Sequence, residues 1–108
     1  MYNPGMVREV ADQKEAIAAL CRDLGVELLY LFGSAASGAT LADVRDLDFL
    51  VRFKPMGSGQ YAHNYFPLAE KLEELFHARI DLVEIDAIDN PYFKQAADQT
   101  KVPVYESA

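Results

Sequence analysis

Residues 26–53 read VELLYLFGSAASGATLADVRDLDFLVRF: two apolar runs divided by small and turn-forming residues. Val26 to Phe32 is nearly continuous in apolar character and ends at Gly33, so its length and flanks predict a strand buried on both faces. Gly33 to Asp43 predicts a short helical turn starting near Ser34, then a loop. From Asp46 to Phe53 the chain alternates, with Asp46, Asp48, Leu50 and Arg52 on one side and Leu47, Phe49, Val51 and Phe53 on the other. That pattern predicts a half-buried strand with an acidic end.

Working outward, residues 8–24 place Ile17, Leu20, Cys21 and Leu24 on one helical face, and Gly25 follows as a stop. Lys54 to Gln60, KPMGSGQ, has the composition of a mobile loop. If that loop closes over a bound ligand, its glycines should matter for affinity. A second long helix carries Leu68, Leu72, Leu75 and Phe76 on a common face, with Pro67 tolerable in its first turn. Arg79 to Ile85 alternates again, setting Asp81, Val83 and Ile85 opposite Ile80 and Leu82. Asn90-Pro91 is an N-cap followed by proline at the first helical position, which predicts a helix running to about Thr100. Val102 to Tyr105 can add a short edge strand. A small mixed sheet of about four strands with helices segregated to one side makes an α+β or α/β two-layer architecture, read as a single domain over 1–108.

The composition narrows the function. A net charge of −7, with ten Lys and Arg scattered along the chain, argues against direct nucleic-acid binding, which needs cations gathered on one face. Acidity suits a site that collects divalent cations or a basic partner, although dispersed Asp and Glu are most simply a solvated surface. No apolar run approaches the roughly 18 to 20 residues of a membrane span, and MYNPGMVREV lacks the apolar core of a signal peptide, so the expected location is the cytoplasm. Cys21 is the only cysteine and reads as a buried structural thiol.

The chemistry-bearing spacing is Gly33-Ser34, then eleven residues, then Asp46-Leu47-Asp48. Strand side chains repeat every second residue, so Asp46 and Asp48 project from one face with alpha carbons about 6 to 7 Å apart. Carboxylates so placed can share two Mg²⁺ ions roughly 3.5 to 4 Å apart, an arrangement suited to in-line displacement at phosphorus. Asp81, facing away from the apolar side of its own strand, is the candidate third carboxylate. Gly33 lets backbone approach a phosphate, and free N–H groups with the Ser34 hydroxyl can hold its oxygens. Each element has a plain structural alternative: Gly-Ser as a turn and cap, Asp-x-Asp as a solvated strand edge. Their conjunction at strand ends is what marks a site.

The run LFGSAASG…DLDFLV resembles the signature of the minimal nucleotidyltransferase family, which shares its catalytic core with DNA polymerase beta and the aminoglycoside nucleotidyltransferases. The similarity reaches RIDLVEID and the tail NPYFKQAADQTKVPVYE, and so covers nearly the whole chain. It implies an α+β nucleotidyltransferase fold in two layers. It also implies that Asp46 and Asp48 bind both metals, that Asp81 binds the catalytic metal and helps deprotonate the acceptor hydroxyl, and that Gly33 and Ser34 form the nucleotide-phosphate loop. Arg45 departs from the small polar residue common before the first aspartate, and carries no assigned role.

Larger relatives continue into a helical acceptor-binding domain. Stand-alone domains of this type are similar to the antitoxin half of toxin–antitoxin pairs whose partner is a helical HEPN-type ribonuclease. The implied activity is Mg²⁺-dependent transfer of AMP from ATP to a tyrosine of that toxin, in a hetero-oligomer or with a homodimer. Two alternatives stand beside it: a non-catalytic antitoxin that neutralises its partner by occlusion, and a small-molecule transferase of the aminoglycoside type. His63 and His77 lack ligand spacing and read as surface or capping residues. Tyr61, Tyr65 and Phe66 suit either helix packing or a partner, and Tyr92, Phe93 and Tyr105 read as core or interface.

Overall fold

The computed structural model describes residues 10–33 and 46–107, so Ser34, the expected turn and loop after it and Arg45 lie outside the described residues. Four strands form one sheet in the order β3-β2-β1-β4. These are β1 (Val26–Phe32), β2 (Asp46–Phe53), β3 (Arg79–Glu84) and β4 (Val102–Glu106). β1 pairs antiparallel with β2 and β4, while β2 and β3 run parallel, which makes the sheet mixed as expected. A parallel neighbour demands a crossover, and the helix α2 (Ser58–Phe76) supplies it.

The alternation in β2 sorts its residues as the pattern predicts. Leu47, Phe49 and Val51 are fully buried on the helical face, joined there by Leu29 and Leu31 of β1, Leu82 of β3 and Val104 of β4. The helix α1 (Lys14–Asp23) adds Ile17 and Cys21, and α2 adds Leu68, Leu72 and Phe76, with the Phe76 ring stacked on Phe49 at 6.3 Å. Burial pushes the Cys21 thiol up to about 12, as fits an inert core position. Gly25 ends α1 with φ +71, where L side chains are disfavoured.

The opposite face is covered only in part. Phe32 and Leu50 are buried there beneath Tyr30, Val83, Ile85 and Ile88, and Phe93 of α3 (Pro91–Thr100) meets Phe32 edge-on at 5.7 Å. Leu28 and Tyr30 are therefore half-buried, where the sequence alone predicts β1 covered on both faces.

The start of α2 and the end of β3 differ from expectation. The helix α2 begins at Ser58, so the end of KPMGSGQ is helical: the Tyr61 N–H donates to the Gly57 carbonyl at 3.0 Å, and Gln60 donates to Asn64 one turn on at 2.8 Å. Pro67 consequently stands inside the helix rather than in its first turn. It withholds the hydrogen bond that the His63 carbonyl would accept, and His63 is exposed, which leaves that carbonyl within reach of water. Finally, β3 stops at Glu84 because the Glu84 carboxylate accepts the Asp86 N–H at 3.2 Å and turns the chain into a 3₁₀ turn over Ile85–Ala87. Asn90 behaves as read, accepting from the Tyr92 and Phe93 N–H groups at 2.9 and 3.2 Å. His77 ends α2 in the left-handed region at φ 52, a capping position. Among the described residues no helix is long and apolar enough to cross a membrane.

Candidate active site

The site grows from one junction, where β1 ends beside the beginning of β2. Phe32 is in register with Asp48, and the chain turns immediately afterwards at Gly33 with φ +75. An ideal Cβ at Gly33 would stand 2.8 Å from Asp48 Oδ2, so a side chain there would have to displace the carboxylate. Glycine therefore answers two demands at this position: a backbone conformation that L residues avoid, and contact between main chain and carboxylate.

Asp48 is in turn in register with Asp81 on the neighbouring parallel strand. Adjacent strands lie about 4.8 Å apart, and in-register residues of parallel strands share a face. Two carboxylates, one half-buried and one exposed, thus sit side by side on the face away from α1 and α2. Asp46 belongs to the same face by alternation and is in register with Arg79, while its side chain is outside the described set. The structure brings Gly33, Asp48 and Asp81 together and places the Asp46 backbone beside them.

Arg79 was not singled out by sequence reasoning, although the signal was present. It is two residues before Asp81, so strand period sets it on the same face, and its register with Asp46 puts a cation at the acidic end of the sheet. Tyr65 was likewise read only as a packing or partner residue. Its hydroxyl donates to the Leu82 carbonyl on the edge strand, and its pKa is raised by burial first, then by the charges of Asp81 and Glu84. The KPMGSGQ loop, by contrast, begins at the opposite end of β2. It follows Phe53, at the other end of an eight-residue strand from Asp46, roughly 20 Å away.

The donors at the junction are hard oxygens, the type that suits Mg²⁺ rather than a soft metal. Among the described residues no group of three His, Cys, Asp or Glu side chains could by itself hold an ion. The described pair, Asp48 and Asp81, can supply two carboxylates, and the Asp46 main chain stands next in line.

Comparison with known proteins decides the family. The model of the nucleotidyltransferase domain matches residues 13–102. This chain belongs to that family. A candidate protein adenylyltransferase of Methanocaldococcus jannaschii is 30% identical over 79 residues, spanning 73% of this chain and 77% of the relative. A solved candidate minimal nucleotidyltransferase superposes with a TM-score of 0.71 at 27% identity, over 92% of this chain and 95% of the other. At 21% identity and a TM-score of 0.62, a chain from the complex of a tri-AMPylated Shewanella oneidensis HEPN toxin with an MNT antitoxin shares the fold over 91% of this nucleotidyltransferase and 73% of its own length. The nucleotidyltransferase fold in its α+β form is thus the architecture of this chain, and the junction of Gly33, Asp48 and Asp81 occupies one end of its sheet.

Proposed function

We propose that this nucleotidyltransferase transfers AMP from ATP to a tyrosine hydroxyl of a HEPN-type toxin and so acts as an antitoxin. The observation that carries the reading is the in-register pair Asp48 and Asp81 with Gly33 pressed against Asp48. The adenylyltransferase relative and the AMPylated toxin complex support the choice of nucleotide and acceptor class. Another toxin–antitoxin complex of the same fold was solved with AMP-PNP, with a TM-score of 0.63.

In this reading Asp46, Asp48 and Asp81 hold two Mg²⁺ ions. The metal supplies charge neutralisation at the triphosphate and a more acidic acceptor hydroxyl. Gly33 and Ser34 present backbone N–H groups and a hydroxyl to the phosphate oxygens, an arrangement that needs the close approach glycine allows. Asp81, at the exposed edge of the pair, takes the acceptor proton. The acceptor oxygen then bonds to the α-phosphorus as the bond to the bridging oxygen breaks, and pyrophosphate leaves with that electron pair.

The test is incubation with α-labelled ATP, Mg²⁺ and the protein encoded beside it. Label should appear on a tyrosine of the partner, and Asp48→Asn or Asp81→Asn should lower the rate by at least about 10²-fold, the scale of losing one preorganised electrostatic group. Tight complex formation without label on the partner would replace catalysis with occlusion as the mode of neutralisation.

A further inference from the structure

Away from the carboxylate pair, on the helical face at the far end of β3, three aromatic rings of α2 line up beside Glu84. Tyr61 and Tyr65 stack with centroids 6.0 Å apart, and Phe66 meets Tyr65 edge-on at 5.3 Å. Together with Ala62 and Glu84 they line an open cleft of about 290 Å³. That is at or below the roughly 300 to 1,000 Å³ of small-molecule sites and is suited to one long side chain.

One feature of this cleft is costly while it stays open, and a second gives it an acidic wall. Phe66 is 63% exposed, a large ring left in water on a helix whose other apolar residues are mostly covered. Glu84 accepts the Asp86 N–H on Oε1, but Oε2 is shut away from water and has no hydrogen-bond donor among the described residues. Burial raises the Glu84 pKa, while the Asp86 N–H, the Tyr61 hydroxyl and the charge of Arg52 favour its carboxylate form. A carboxylate half-solvated behind low-dielectric rings projects its field into the cleft.

We infer that this cleft receives a basic side chain, arginine above all, presented by a partner protein. The guanidinium lies over the aromatic faces, where ring quadrupoles attract a cation, and is drawn there by the charge of Glu84. Among the described residues, Glu84 is the only charged group lining the cleft. Its neighbour Asp86 is engaged by Arg52 at 3.1 and 3.3 Å, and Lys54 lines an adjoining hollow that Tyr61, Glu84 and Asp86 line as well. The electrostatics agree: the Tyr61 hydroxyl is pushed up to about 12, by burial first and then by Glu84. The whole molecule, at −7, also favours a basic partner.

Occupancy of the cleft does not depend on the transferase reading. Its use does: Glu84 is three residues along the edge strand from Asp81, roughly 10 Å between backbones but on the opposite face, so an acceptor protein anchored there and passing round that edge brings a hydroxyl to the carboxylates, if the proposed reaction holds.

The test uses the full chain and follows the ring resonances of Tyr61, Tyr65 and Phe66 by NMR during titration with N-acetyl-arginine amide and its uncharged counterpart N-acetyl-citrulline amide. Saturable shifts confined to these rings are expected with the arginine probe, at least fivefold weaker with citrulline. Glu84→Gln, which keeps the acceptor for Asp86, and Phe66→Ala, at an exposed position, should each weaken arginine binding by a similar factor while leaving the amide spectrum folded. Equal binding of citrulline, undiminished binding by Glu84→Gln, or a stronger response to spermidine than to arginine amide would overturn the assignment. None of these readouts involves transfer of AMP, so loss of the site and loss of the activity are separately visible.

Discussion

At position 33 two constraints that usually act separately coincide. The φ of +75 favours glycine on conformational grounds, and the 2.8 Å approach to Asp48 Oδ2 favours it on steric grounds. Gly33→Ala should therefore cost about 1 to 2 kcal/mol in stability, the penalty for an L residue in the left-handed region. The new methyl also turns the Asp48 carboxylate. Because misplacement by about 1 Å can cost roughly 10²-fold in rate, the proposed AMP transfer should fall by about that factor even where the variant is fully folded. Urea denaturation and a label-transfer assay at saturating ATP separate the two effects. Full activity in the folded variant would mean that the Asp48 carboxylate needs no fixed orientation.

Elements register which parts of the fold the chain states locally and which it does not. β2 and the start of α3 follow from neighbouring residues alone: DLDFLVRF has a period of two, and Asn90-Pro91 carries its own cap. The same period put Asp48 and Asp81 on faces away from the core, and pairing then brought them into register. What the sequence left unstated was tertiary. The start of α2 inside KPMGSGQ depends on a bond between Gln60 and Asn64 and on where Asn64 points. Asn64, only 7% exposed, donates through Nδ2 to the Leu24 carbonyl at 2.7 Å, tying α2 to the turn between α1 and β1. A composition rich in glycine and serine outweighs nothing once such a tie exists. Asn64→Ala should destabilise the protein by about 1 to 3 kcal/mol by leaving a carbonyl and the Gln60 amide unpaired. Asn64→Asp should cost more, since a carboxylate cannot donate and faces the carbonyl oxygen directly. Thermal unfolding of both variants checks the order; equal losses would show that packing, not the donated bond, holds the turn.

For the molecule as a whole, the difficulty is charge. On the proposed reading, a chain of −7 must accept ATP, itself strongly anionic, at an end of the sheet where Asp48 and Asp81 stand side by side. Carboxylates and phosphates at close range repel by more than a few surface cations such as Arg79 offset. Nucleotide binding on the proposed reading should therefore be conditional on divalent metal: chelation should weaken ATP binding, followed calorimetrically at fixed ionic strength, by at least about tenfold, the scale of 1.4 kcal/mol. The sign of a second effect separates metal-bridged binding from an ordinary salt response. Neutralising the pair with Asp48→Asn and Asp81→Asn removes both the repulsion and the metal donors, so the double variant should bind ATP more tightly than the unaltered chain when metal is absent and less tightly when it is present. Affinities that move together in both conditions would place the nucleotide somewhere other than this end of the sheet.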